Sequence, residues 1–151
     1  MSRLWLCLDP GITTGWAVLD ETGKVLATSV WGTAELKVSL DVLIRQVFTS
    51  GHELEVVIEK MPQTGGLGLL GQKLEVVRRE INDIVSETYE LPVTYVLPGT
   101  WKPSRVARTT KVPGRFKGTP LMTHQRDAVR MGRFTIDRRA ATISTLKGGD
   151  A

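Results

Sequence analysis

LCLDPGITTGWAVLD, residues 6–20, holds a strand, a break and a second strand within fifteen positions. The apolar run ends in a single carboxylate, Asp9. Pro10-Gly11 then turns the chain, and a strand-like run resumes around Trp16. Asp9 therefore stands at the end of a buried strand, on a rigid scaffold. Asp-Pro-Gly is also ordinary turn chemistry, and a plain surface turn is the competing reading. A second acid of the same kind, Glu59, ends the apolar run of LEVVIEK, residues 54–60.

Outward from this stretch, apolar residues 3–9 predict a strand buried on both faces. Residues 15–20 and 24–31 flank Glu21-Thr22-Gly23 and read as a hairpin. Leu36, Leu40, Leu43, Ile44 and Val47 recur at three and four, predicting a helix over 34–50. A fourth strand, 55–59, leads to Glu59. The glycine-rich loop that follows, MPQTGGLGLLG (61–71), lacks the Gly-Lys-Ser/Thr ending of a phosphate loop and excludes that nucleotide site. Gly65 and Gly66 suit it to close backbone approach beside an active site. Leu70, Leu74, Val77, Ile81, Ile84 and Val85 form one stripe of a helix over 67–88. Strand 93–97 comes next. Residues 98–121, with four prolines and six basic side chains, read as a long basic loop. The last helix starts with Thr123 as its N-cap and covers the low 130s. The order β-β-β-α-β-α-β-α predicts an α/β fold: one five-stranded mixed sheet with helices on both faces. One domain, 1–139, is expected, with 140–151 a loosely ordered tail.

The net charge of +4 conceals an asymmetry. Residues 1–100 hold eight Lys/Arg against thirteen Asp/Glu, whereas 101–139 hold eleven against two. A basic C-terminal third on an acidic body points to a polyanion, although charge runs are often only solvated surface. Lys102, Arg105, Arg108, Lys111, Arg115 and Lys117 are the candidate DNA-binding cations. No apolar run is long enough to cross a bilayer, so no membrane partner is expected. Cys7, the only cysteine, excludes an intrachain disulfide and a zinc finger and reads as core. Together with the lack of a signal-peptide pattern, it makes the cytoplasm the expected location.

Asp9 and Glu59 end separate strands. If these are neighbours, the two carboxylates repel unless a proton or cation intervenes. Hard oxygen ligands beside a polyanion favour Mg²⁺, with Mn²⁺ as substitute. His124 and Asp127, three apart, share one face of the last helix. Each has a plainer reading. Glu59 can pair with Lys60, His124 can be a surface histidine, and Asp127 can serve the helix dipole or pair with Arg126 or Arg130. His52 has only the plain reading.

As a set, Asp-Pro-Gly on the first strand, Glu ending the fourth and His-x-x-Asp-Ala on the last helix resemble the RuvC-type Holliday-junction resolvases, within the ribonuclease H-like nuclease superfamily. The resemblance spans most of residues 3–133. It implies a dimeric, metal-dependent endonuclease that nicks branched DNA, a four-way junction above all, leaving 5′-phosphate and 3′-hydroxyl ends. By that resemblance Asp9 bridges two ions, Glu59 and Asp127 hold one each, and His124 assists at the metal or the attacking water. No small-molecule cofactor is implied. Cellular members carry an aromatic residue three places after the strand-four Glu, against an unstacked base; here that place is Pro62, and Trp101 or Phe116 is the candidate substitute. The chain is short beside cellular resolvases and is more similar to the phage-encoded branch, with a host-cytoplasmic location and a wider choice of branched substrates. Helix 67–88 is the candidate homodimer interface, with core packing as its plainer role. Competing functions are another ribonuclease H-like nuclease (DNA packaging or RNA processing) and a non-catalytic DNA-binding module. An actin-like phosphotransferase needs a second domain, for which 151 residues leave no room.

Overall fold

A computed structural model describes residues 2–60 and 68–148. Three strands lead: β1 (Arg3–Asp9), β2 (Thr13–Leu19) and β3 (Val25–Gly32). Helix α1 (Leu36–Thr49) and strand β4 (Glu53–Glu59) follow. Helix α2 (Gly68–Asn82) widens into a π-helical stretch, Asp83–Thr88, and β5 (Val93–Val96) completes the sheet. The order across the sheet is β3-β2-β1-β4-β5. The hairpins β1–β2 and β2–β3 are antiparallel, and β1–β4 and β4–β5 are parallel. The expected mixed α/β architecture is thus present.

Every β1 residue from Leu4 to Asp9 is buried, as its unbroken apolar run requires. Alternation divides them between two cores. Leu4, Leu6 and Leu8 face α1 and α2 with Leu40, Ile44, Val77 and Ile81. Trp5 and Cys7 face the last helix, α5 (Thr123–Gly148), with Ala128, Val129 and Met131. Burial pushes the Cys7 thiol far above its ordinary range, as expected of core and not of a nucleophile.

Four sequence expectations need correction. First, residues 98–121 are organised, not an open loop. They form α3 (Pro98–Trp101), α4 (Arg105–Thr109) and a small hairpin of β6 (Arg115–Phe116) and β7 (Thr119–Pro120). Buried Trp101, Ala107 and Leu121 seat the segment, and Ser104 Oγ caps α4 by accepting from the Ala107 N–H at 3.1 Å. Second, α5 does not end in the low 130s. It continues to Gly148, so the backbone over 140–148 is helical where a loose tail was expected. Its apolar stripe fades, but Arg139 extends the anchorage through two bonds to buried Glu55 and a cation–π contact with Trp5. Third, Thr123 is not the N-cap. The Arg126 N–H donates to the Met122 carbonyl, and Gln125 Oε1 reaches back to the Met122 N–H at 2.9 Å. Met122 therefore holds the cap position. Fourth, helix 67–88 is not uniformly α, since Tyr89 N–H donates five residues back to Ile84. The glycine-rich segment 61–67, with Pro62, Gly65 and Gly66, lies outside the described residues, as do 149–151.

Candidate active site

Parallel pairing of β1 with β4 carries the register to Leu8↔Ile58. Asp9 and Glu59 are thus the next residues on adjacent strands, both at C-terminal ends. Leu8 and Ile58 belong to the α1/α2 core, so alternation turns Asp9 and Glu59 toward the α5 face. There α5 presents His124 and Asp127 from its first two turns.

Gly15 makes that approach possible. It pairs with Asp9 across β1–β2, and a Cβ at this position would overlap the His124 backbone. Gly132 plays the same part against the Cys7 sulfur. Both are places where helix and sheet touch too closely for a side chain.

Each acid has a distinct partner. Asp9, only 6% exposed, shares a 2.8 Å hydrogen bond between Oδ2 and His124 Nδ1. With Asp9 ionised, that bond places the imidazole proton on Nδ1. Glu59 Oε2 accepts from Trp101 Nε1–H at 2.9 Å, in place of the Lys60 pairing considered from sequence. Asp127 Oδ1 accepts from Arg130 Nη1 at 3.4 Å, the alternative pairing foreseen for it.

The acids nevertheless share one electrostatic environment. Burial raises the Asp9 carboxyl above its ordinary range; the His124 hydrogen bond and charge oppose the rise, and the Asp127 charge adds to it. Glu59 is raised by burial and then by the Asp9 charge, against the Trp101 hydrogen bond and the Lys102 ammonium. A neighbouring carboxylate disfavours ionisation in this way when no cation lies between the two. Among the described residues, no group of three or more His, Cys, Asp or Glu side chains is placed so that it could hold a metal ion. The donor chemistry still fits a hard divalent cation, because burial and neighbouring negative charge raise the cost of ionising Asp9 and Glu59 and a dication would remove it.

The six candidate cations, Lys102, Arg105, Arg108, Lys111, Arg115 and Lys117, are all exposed on the segment that begins at the Glu59 partner. Arg133 of α5 ties that segment down through the Lys111 carbonyl. Phe116 is half-buried under Lys117, 5.5 Å from its ring centre. Trp101 cannot be the exposed stacking residue considered from sequence. It is 1% exposed, one of the most deeply buried side chains in the protein. Sequence reasoning missed its contact with Glu59, because flanking Pro98, Gly99 and Pro103 read as open loop. Gly15 was also missed, although a glycine inside an apolar strand does signal close approach.

The chain shares its fold with solved structures of RuvC. Over 92% of this chain and 97% of the other, it superposes on a structure described as T. thermophilus RuvC in complex with Holliday junction substrate, with a TM-score of 0.69 and 16% identity. A second Thermus thermophilus RuvC structure matches over the same shares with a TM-score of 0.64 and 15% identity. No family model matches the chain, and no curated protein matches it in sequence.

Proposed function

We propose that this protein is a structure-selective endodeoxyribonuclease that resolves Holliday junctions and related branched DNA, leaving 5′-phosphate and 3′-hydroxyl ends. The observation that carries the reading is the placing of Asp9 and Glu59 on adjacent parallel strand ends, with His124 and Asp127 brought over them by α5. The likeness in fold to RuvC, one structure of which holds a Holliday junction substrate, supports the choice of substrate.

Asp9, Glu59 and Asp127 would hold two Mg²⁺ ions, with Mn²⁺ able to substitute. When bound, such ions lower the pKa of a coordinated water and offset charge on the leaving 3′ oxygen. The protein's own groups do the rest. Asp9 keeps the His124 ring oriented through Nδ1. The His124 side chain is 47% exposed, so the ring can meet water or substrate and handle a proton there. The six cations of 102–117 bind backbone phosphates, which gives affinity with little sequence preference.

Selectivity for a symmetric junction requires two sites at fixed spacing, hence a homodimer. Helix α2 is the proposed interface. Val77 and Ile81 of its stripe are committed to the core, but Leu69, at 75% exposed, with Leu70 and Val76 leaves apolar surface for a second copy. The test is a labelled four-way junction incubated with Mg²⁺, Mn²⁺ or EDTA, beside linear duplex. Ion-dependent cutting of the junction alone supports the reading. Ion-dependent cutting of every substrate alike would favour a general nuclease, and binding without cutting a DNA-binding module.

A further inference from the structure

We propose that Trp101 is a positioning residue: its indole N–H fixes the Glu59 carboxylate so that one oxygen is presented for ion binding. The inference rests on the divalent-cation reading of the acids. A glutamate at a strand end has three side-chain torsions to immobilise before it can hold an ion. Trp101 Nε1–H engages Oε2 at 2.9 Å and leaves Oε1 for a ligand.

The indole is a fixed donor. It packs in the α5-side core with Val57, Val96 and Ala107. Backbone bonds from Trp101 N–H to Leu97, from Lys102 N–H to Pro98 and from Ser104 N–H to the Trp101 carbonyl hold its frame. Outer groups of this kind set the orientation of metal ligands, and losing one commonly costs about 10–100-fold in affinity. Trp101 also opens the segment that carries the six exposed cations. One segment therefore sets the geometry of a catalytic acid and presents the charges for phosphate.

The test is Mn²⁺ affinity, by calorimetry on the DNA-free protein, for the unaltered chain, Trp101→Phe and Trp5→Phe. Trp5 supplies the control. It lies in the same core and its Nε1 has no hydrogen-bond partner among the described residues, so the same substitution there removes no contact to an acid. The expected result is a loss of about tenfold or more in Trp101→Phe and no change in Trp5→Phe. Equal affinity in all three would overturn the role of Trp101 while leaving the metal reading intact. Absence of Mn²⁺ binding by the unaltered chain would overturn both. Should Trp101→Phe not fold, the unaltered chain labelled with ¹⁵N at its four tryptophans decides. One indole N–H signal should move with Mg²⁺ and again with Glu59→Gln. Four unmoved signals would overturn the inference.

Discussion

At the scale of single residues, Asp9 is the acid with the least room to be anything else. It is buried, its carboxyl is raised, and its carboxylate is hydrogen-bonded to a histidine delivered from 115 residues away in sequence. Asp9→Asn keeps the shape and removes the charge. It is expected to lower junction cutting by more than about a hundredfold, beyond the usual effect of losing an outer partner, with binding by gel shift nearly unchanged. Glu59→Gln and Asp127→Asn should follow it; normal turnover by either would remove that residue from the site. The raised carboxyls also set a pH dependence. A carboxyl whose folded pKa exceeds its unfolded value binds more protons in the folded state, so stability falls as pH rises from the unfolded through the folded pKa. Divalent ions relieve this only once the acids have ionised. The rise in Tm on adding Mn²⁺ should therefore be larger at pH 8 than at pH 5, as read by thermal melts; an equal rise would place ion binding elsewhere.

At the scale of elements, the strand ends and helix α5 make the candidate site. The strands were legible because β1, β2 and β4 are short apolar runs bounded by turn residues, a pattern set by local chemistry. Helix α5 was legible only at its start. Beyond the low 130s its hold on the sheet passes from an apolar stripe to Arg139, whose value depends on buried Glu55 lying opposite, and no local pattern reveals that. Arg139→Ala leaves the Glu55 carboxylate with Arg3, at 3.4 Å, as its remaining ion-pair partner among the described residues. A broken buried pair costs about 3–5 kcal/mol, and the partial exposure of Arg139 reduces this to about 1–3 kcal/mol, measurable by urea unfolding. Gly15→Ala acts at the other end of the helix. It should cost about 1–3 kcal/mol by overpacking and lower junction cutting as well, because the first turn with His124 must move. Loss of stability without loss of activity would show that the site tolerates that shift.

At the scale of the whole molecule, charge and site are segregated yet joined. The acidic body carries Asp9 and Glu59, Asp127 comes from α5 within the basic third, and the basic segment packs against the body through Trp101, Ala107 and Leu121. The charge asymmetry was plain in the sequence. The folding of that segment was not, because prolines and glycines conceal α3 and α4, whose stability comes from tertiary seating and not from local propensity. Replacing Lys102, Arg105, Arg108, Lys111, Arg115 and Lys117 with glutamate should weaken binding to duplex, single-stranded and branched DNA by similar factors and flatten the salt dependence of affinity. An unchanged salt slope would exonerate the segment.

In the proposed reaction, carboxylates from two strands and one helix act together on a phosphodiester through divalent ions. The most direct measurement is product analysis of a four-way junction, end-labelled on each strand in turn, with Mg²⁺ or with EDTA, for the unaltered protein and Asp9→Asn. The expected result is nicks at symmetric positions on two opposing strands, ligatable ends, and no product from Asp9→Asn or in EDTA. Undiminished nicking by Asp9→Asn, or cutting that proceeds in EDTA, would rule out a carboxylate-held ion as the agent of cleavage.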